Sequence, residues 1–207
     1  MAMKLSSKSQ STSSLAELDA IVEKSLRSFF RNICSEWCGR ENEMVSLYAF
    51  GHLVKHVHRG TILSDLTQIG IEVAVRQLPP DKEHPRKKKD VRKDLVIWPA
   101  PGMTLWKANV PHNEPLAVME WKLNRYPNRA AHQKNRPTHQ DDIRWLRTTS
   151  LRRGMADFVG YAVLVENTQD PKRLTCTRVH AGAVEQFLTV AETTATHDGA
   201  QQQSDLP

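Results

Sequence analysis

The sequence lacks the long apolar segment that a membrane-spanning helix requires. None of its apolar runs approaches the roughly 18 residues that cross a bilayer. The first residues, MAMKL, are followed by serine and threonine rather than by the apolar core of a signal peptide. We therefore expect a soluble, cytoplasmic protein that has no membrane partner.

Cysteine is scarce, and several common motifs are missing. The 207 residues include three cysteines, an odd number that argues against a disulfide framework. No glycine-rich phosphate loop, Ser-His-Asp order or haem motif is present. Cys34 and Cys38 precede His52 and His56 at a spacing close to that of a zinc finger. However, the two cysteines fall in a continuous helical pattern rather than on a hairpin, which favours ordinary core or surface positions over a zinc-stabilised interaction protein.

Basic residues outnumber acidic ones, 29 to 23, and the net charge is +6. This excess suits a polyanionic partner, although many proteins without such a partner are equally basic. Three basic clusters stand out, and two of them fall in predicted loops: Arg86 to Lys89 with Arg92; Arg125, Arg129, Lys134 and Arg136; and Arg144, Arg147, Arg152 and Arg153.

Hydrophobic periodicity predicts one α/β domain over residues 14–191, with polar, disordered tails at 1–13 and 192–207. Strands one to three are joined without a helix and are expected to pair antiparallel, whereas the helix after strand three predicts a parallel pairing with strand four. The result is a mixed central sheet with helices on both faces. The predicted helices are 14–37, 41–58, 139–152 and 182–191, and the predicted strands are 69–78, 94–98, 116–123, 158–165 and 174–179.

Charged residues interrupt two of these apolar strands. Alternation places Asp94 on one face with Val96, and places Glu120 and Lys122 together on one face of the next strand. If Trp98 lies opposite Leu116, Asp94 lies opposite Glu120, where two like charges are unfavourable. A hard divalent cation between the carboxylates would reverse that repulsion.

Two carboxylates and a lysine at one place suit metal-assisted phosphodiester hydrolysis. Carboxylates hold Mg²⁺ or Mn²⁺, and a nearby lysine orients the attacking water or offsets the charge that develops on phosphorus. The competing interpretation is a solvated strand start at Asp94 and an exposed pair at Glu120 and Lys122, worth little energetically.

The pattern resembles the PD-(D/E)XK nuclease superfamily, with Asp94 on one strand and Glu120-Trp121-Lys122 on the next. The resemblance covers residues 41–166. It implies a restriction-endonuclease-like αβββαβ core, preceded here by an extra N-terminal helix. It also implies that Asp94 and Glu120 bind the metal and that Lys122 positions the water. The proline that the family often has before the aspartate is replaced by Lys93.

Many members of this superfamily add a glutamate from the helix before strand one. Glu43 is our first choice for that catalytic residue, followed by Glu41, and Glu72 on strand one is a further candidate. Arg125, Arg144 and Arg147 are the expected substrate-binding residues, because phosphate contacts come mainly from such side chains.

We therefore expect an Mg²⁺-dependent endo- or exodeoxyribonuclease. The resemblance implies DNA as substrate, with RNA as an alternative, and leaves open whether the chain acts as a homodimer or within a larger complex. The competing hypothesis is a catalytically inactive nucleic-acid-binding or assembly protein built on the same fold.

Overall fold

A six-stranded mixed sheet with the strand order β1-β2-β5-β6-β7-β8 forms the centre of the protein. The computed structural model describes residues 7–33, 39–76, 90–103, 106–107, 110–111, 114–124, 138–152, 155–166 and 171–192. The central strands are β1 (Ile69–Arg76), β2 (Asp90–Ile97), β5 (Ala117–Asn124), β6 (Val159–Glu166), β7 (Arg173–His180) and β8 (Ala183–Ala191). Two short strands, β3 (Trp106–Lys107) and β4 (Val110–Pro111), form a separate hairpin.

The pairing directions are those predicted from the connections. β1 pairs antiparallel with β2, and β2 with β5, while β5 and β6 run parallel around the helix that joins them. The β2–β5 register matches the one assumed in placing Asp94 opposite Glu120, since Leu95 lies opposite Met119 and Ile97 opposite Ala117. This register decides where the charged residues of the two strands meet.

Helices cover both faces of the sheet, as the sequence predicts. α1 (Ser7–Asn32) and α2 (Glu41–Gly51) pack on one face, where Leu18, Phe29 and Tyr48 bury against the sheet. α3 (His139–Ser150) packs on the other face through Leu146. Short 3-10 helices at Leu53–His56 and Leu66–Gln68 connect α2 to β1. No helix among the described residues is both long and apolar enough to cross a membrane.

Helix boundaries differ from the prediction in α1 and α2. α1 begins at Ser7, so residues 7–13, expected to belong to a disordered tail, are helical, and Ser14 is inside the helix instead of capping it. Adding residues to an existing helix costs much less than nucleating one, so a polar segment can extend a helix that packing already holds. α2 ends at Gly51 and gives way to the 3-10 helix, several residues before the predicted end at His58.

The predicted helix over residues 182–191 is wrong, because this segment is strand β8, paired antiparallel with β7. The turn between the strands has two residues with positive φ, Ala181 at 47° and Gly182 at 81°. Positive φ at both positions matches the right-handed twist of a two-residue hairpin. The β-branched residues of the segment then suit a strand: Val184, Thr189 and Val190.

Candidate active site

Asp94 and Glu120 lie next to each other on adjacent strands. The β2–β5 pairing runs from Ile97 with Ala117 to Leu95 with Met119, where it ends, and Asp94 and Glu120 are the next residues on the two strands. Here the Asp94 side chain takes part in the strand contact, because its Oδ2 accepts a hydrogen bond from the backbone N–H of Trp121 at 2.7 Å. The strands therefore hold the two carboxylates at the same end of the sheet.

Lys122 connects this end of the sheet to helices on both faces. Its Nζ lies 3.4 Å from Glu41 Oε1 in α2 and 3.2 Å from Asp142 Oδ2 in α3, and it donates to the carbonyl of Trp121 at 2.9 Å. Burial alone would lower the pKa of Lys122, but the carboxylates of Glu41, Asp142 and Asp94 outweigh it and leave the pKa raised. Lys122 is therefore a hydrogen-bond donor with a stable positive charge.

A second lysine, Lys93, enters the same site. Its Nζ forms an ion pair with Glu120 Oε1 and lies 3.5 Å from the centroid of the Trp145 ring. We call Glu41, Lys93, Asp94, Glu120, Lys122 and Asp142 the acid–amine cluster. It consists of four carboxylates and two ammonium groups from two helices and two strands.

A change of face in β1 explains how Lys93 joins its neighbour Asp94 in the cluster. Ile69 and Ile71 pack with α1 and α2, whereas Val73 and Val75 pack on the α3 side. The switch occurs at Glu72, which has a φ of 53°. Directly opposed residues of an antiparallel pair share a face. Lys93 lies opposite Val73 and therefore faces α3.

Glu120 is the most strongly perturbed acid of the cluster. Its side chain is 6% exposed. Burial raises its pKa to about 8; Lys93 lowers it in part, while Asp94 and Asp142 raise it further. A buried carboxylate near two others is unfavourable because it has lost hydration and faces like charges. The neutral form of Glu120 is therefore favoured well above the usual pH range of a glutamate.

The helix ends add to the electrostatics of the site. Burial is the main reason that the pKa of Glu41 and that of Asp142 are raised, although Lys122 lowers both. Glu41 is the first residue of α2, and Asp142 is in the first turn of α3. The partial positive charge of a helix N-terminus favours a carboxylate or a phosphate nearby.

The donor set suits a hard divalent cation in its chemistry. Asp94 Oδ2 and Glu120 Oε1 are engaged by Trp121 and Lys93, which leaves one oxygen of each carboxylate as a ligand atom. Oxygen ligands of this kind are those that Mg²⁺ prefers, and it takes few of them from protein. Among the described residues, however, no three His, Cys, Asp or Glu side chains are grouped to hold a metal ion. Within the described part of the chain, a divalent cation at this place would thus have two carboxylates, those of Asp94 and Glu120, as its protein ligands.

No protein-family model, curated protein or solved structure matches this chain. The geometry of the acid–amine cluster is therefore what carries an assignment of function.

Of the three glutamates considered for completing the site, the structure places Glu41 in the cluster. Glu43, our first choice, has another role: its Oε2 accepts a hydrogen bond from the backbone N–H of Arg40 at 2.6 Å and caps α2. Glu72 is exposed at the irregular position of β1. Glu41 replaces Glu43 in the candidate site, because a residue at the start of a helix reaches past the helix end.

The arginines expected to bind substrate are not brought to the cluster in the described part of the chain. Arg144 pairs with Asp141 at 2.7 Å, and Arg147 donates to the carbonyl of Gly182 at 3.1 Å. At 100° per residue they lie about 200° and 140° around α3 from Asp142, so they point away from the residue that contacts Lys122. Arg125 and the basic segments 86–89 and 129–136 lie outside the described residues.

Two members of the cluster, Lys93 and Asp142, were not predicted. The position of Asp142 could have been predicted from the sequence. It precedes Trp145 and Leu146 by three and four residues and so shares their buried face of α3. Lys93 carries no such signal, because simple alternation puts it on the opposite face from Asp94.

Of the alternative zinc ligands, Cys34 and Cys38 lie outside the described residues, and His52 Nδ1 contacts Ser28 Oγ at 3.0 Å.

Proposed function

We propose that this protein is a metal-dependent nuclease of the restriction-endonuclease-like class that hydrolyses phosphodiester bonds, with DNA as its substrate. One observation carries the proposal: Asp94 and Glu120 adjoin on neighbouring strands, with the Lys122 ammonium held beside them by two further carboxylates. This is the arrangement that hydrolysis at phosphorus needs, a place for a cation and a fixed positive donor.

The order of elements supports the same class. From Glu41 to Glu166 the described chain runs helix, two strands, a small hairpin, a third strand, a helix and a fourth strand. Without the hairpin this is the αβββαβ order that the resemblance to PD-(D/E)XK nucleases implies. The two acidic residues also fall on the second and third core strands, as the motif requires.

Asp94 and Glu120 would hold the metal through the oxygens that Trp121 and Lys93 leave uncommitted. Mg²⁺ or Mn²⁺ supplies Lewis-acid stabilisation of the phosphate and a more acidic water when bound. The register of β2 and β5 fixes the separation of the two carboxylates before substrate arrives.

Lys122 acts as a donor and a charge, and its raised pKa makes it a poor general base. Glu41 and Asp142 hold the ammonium from the two faces of the sheet, so its direction is set by two helices. From this position it orients the attacking water and offsets the negative charge that grows on the phosphoryl oxygens. Glu41 and Asp142 are therefore positioning residues.

The test is cleavage of plasmid DNA, single-stranded DNA and RNA in Mg²⁺ and in Mn²⁺, with Glu120→Gln and Lys122→Ala as variants. Removing a group that acts on the transition state typically costs about 100-fold or more in rate. We expect losses of that size in both variants with an unchanged circular dichroism spectrum. Glu23→Gln and Lys55→Ala, both on the exposed surface, are the matched controls. Cutting that persists in both site variants would overturn the mechanism.

The second candidate is a nucleic-acid-binding or assembly protein that has lost turnover. One observation favours it: Lys93 already pairs with Glu120, so part of the negative charge available to a metal is neutralised. Wild-type protein that binds DNA but cuts none of the three substrates in either metal would select this function over the nuclease.

A further inference from the structure

Lys93 is buried in the candidate site although the chemistry proposed above gives it no part. Its side chain is 7% exposed, and its ammonium lies between the Glu120 carboxylate and the Trp145 ring. We propose that Lys93 takes the place of a second divalent cation, so that the site binds a single metal ion. This inference rests on the proposed function, because it concerns how many ions the carboxylates hold.

The charge of the acid–amine cluster matches one divalent cation. When every group is ionised, the two ammonium groups offset two of the four carboxylates, which leaves a formal charge of −2. One divalent ion brings this charge to zero. A second ion would leave an excess of positive charge in a largely buried place, where charge without a partner is costly.

The contacts of Glu120 also indicate a single bound ion. Its Oε1 is committed to Lys93, and Oε2 remains to share one ion with Asp94. Lys93 also stabilises the charged form of Asp142, as its lowering effect on the pKa of that residue shows. Glu120 and Asp142 are therefore the two carboxylates on which the Lys93 ammonium acts.

Trp145 keeps Lys93 in this position. The face of an indole ring attracts a cation, most strongly when water is excluded. A lysine side chain has a flexible stem and three rotatable donors, so it has no fixed direction of its own. Here the Trp145 ring and Glu120 supply that direction. The ring on one side and the carboxylate on the other therefore make the ammonium a fixed charge.

The experiment counts bound ions directly. Metal-free protein is titrated with Mn²⁺ at pH 8.5, and free Mn²⁺ is followed by electron paramagnetic resonance. We expect one bound Mn²⁺ per chain in the wild type. In Lys93→Met we expect two, because Glu120 Oε1 and Asp142 become available together. Arg92→Met removes a neighbouring but exposed positive charge and should still bind one.

Each outcome bears on one of the two proposals. Two ions in the wild type, or one ion in a folded Lys93→Met variant, would overturn the role of Lys93 and leave the nuclease proposal standing. No bound ion in folded wild-type protein would overturn the proposed function, and the inference with it. Should Lys93→Met not fold, the wild-type count alone decides, since one ion supports the inference and two contradict it.

Discussion

At the scale of single residues, Glu120 makes stability depend on pH. Its ordinary pKa of 4.5 applies in the unfolded chain, whereas burial raises the folded value to about 8. Between these values the folded protein keeps a proton that the unfolded chain releases. Rising pH therefore lowers the free energy of unfolding across this window, and the effect levels off above it.

Glu120→Gln removes this dependence, because an amide does not titrate. We expect the melting temperature of the variant, relative to that of the wild type, to rise steadily from pH 5 to pH 8 in metal-free buffer. Thermal unfolding followed by circular dichroism at several pH values measures it. Glu23→Gln, at an exposed ion pair, should run parallel to the wild type. If the melting temperature of Glu120→Gln also changes with pH in parallel with that of the wild type, the raised pKa of the buried Glu120 is contradicted.

At the scale of elements, the first turn of α2 holds two glutamates with different contacts. Glu43 accepts a hydrogen bond from the backbone N–H of Arg40 at the start of α2, whereas Glu41, two residues earlier, contacts Lys122. We expect Glu43→Ala to lower the free energy of unfolding by about 1 kcal/mol, the usual effect of losing a cap, without changing cleavage.

Glu41→Ala should show the reverse pattern, because its carboxylate directs the Lys122 ammonium and caps nothing. We expect cleavage to fall at least about tenfold, or roughly 1.4 kcal/mol in the barrier, with a smaller loss of stability. Urea unfolding and a plasmid-cleavage assay on both variants provide the comparison. Equal effects of the two substitutions on cleavage would remove Glu41 from the site.

The β7–β8 turn provides a second test at this scale. Gly182 has a φ of 81°, and a Cβ there would lie 2.6 Å from Leu151 Cδ2. Gly182→Ala should cost about 1 kcal/mol, because an L-residue is strained in the left-handed region. Gly51→Ala is the matched control, since nothing lies within 4 Å of its added Cβ, and it should be neutral or slightly stabilising. The free energy of unfolding in urea distinguishes the two.

The elements that the sequence predicts well are those whose pattern is local. The connections between the strands predict the antiparallel pairing of β2 with β5 and the parallel pairing of β5 with β6, and both are present. β8 was missed because its strand character depends on the left-handed turn before it. Lys93 was missed because it lies opposite Val73, on the far side of the change of face at Glu72, where simple alternation no longer holds. Such backbone conformations of non-glycine residues follow from tertiary packing and leave no periodic signal.

At the scale of the whole molecule, a polar network on the face opposite α3 joins the N-terminal helix to the C-terminal half of the sheet. Asp19 Oδ1 in α1 accepts hydrogen bonds from Tyr161 Oη in β6 at 2.6 Å and from Arg178 Nε in β7 at 2.9 Å. Arg178 in turn contacts Glu185 of β8 at 2.7 Å. The Asp19 carboxylate thus connects α1 to two strands, β6 and β7, and Arg178 extends the network to Glu185 on β8.

Asp19→Ala would leave both donors without their shared acceptor. A hydrogen bond to a charged group contributes about 1.5–3 kcal/mol, so we expect the free energy of unfolding to fall by roughly 2 kcal/mol. Glu185→Ala removes a more exposed partner of the same arginine and should cost less than about 1 kcal/mol. Urea denaturation with an unchanged m-value is the measurement. If the two variants lose equal stability, the attachment of α1 depends on its apolar face alone, and the Asp19 network does not hold the two halves of the molecule together.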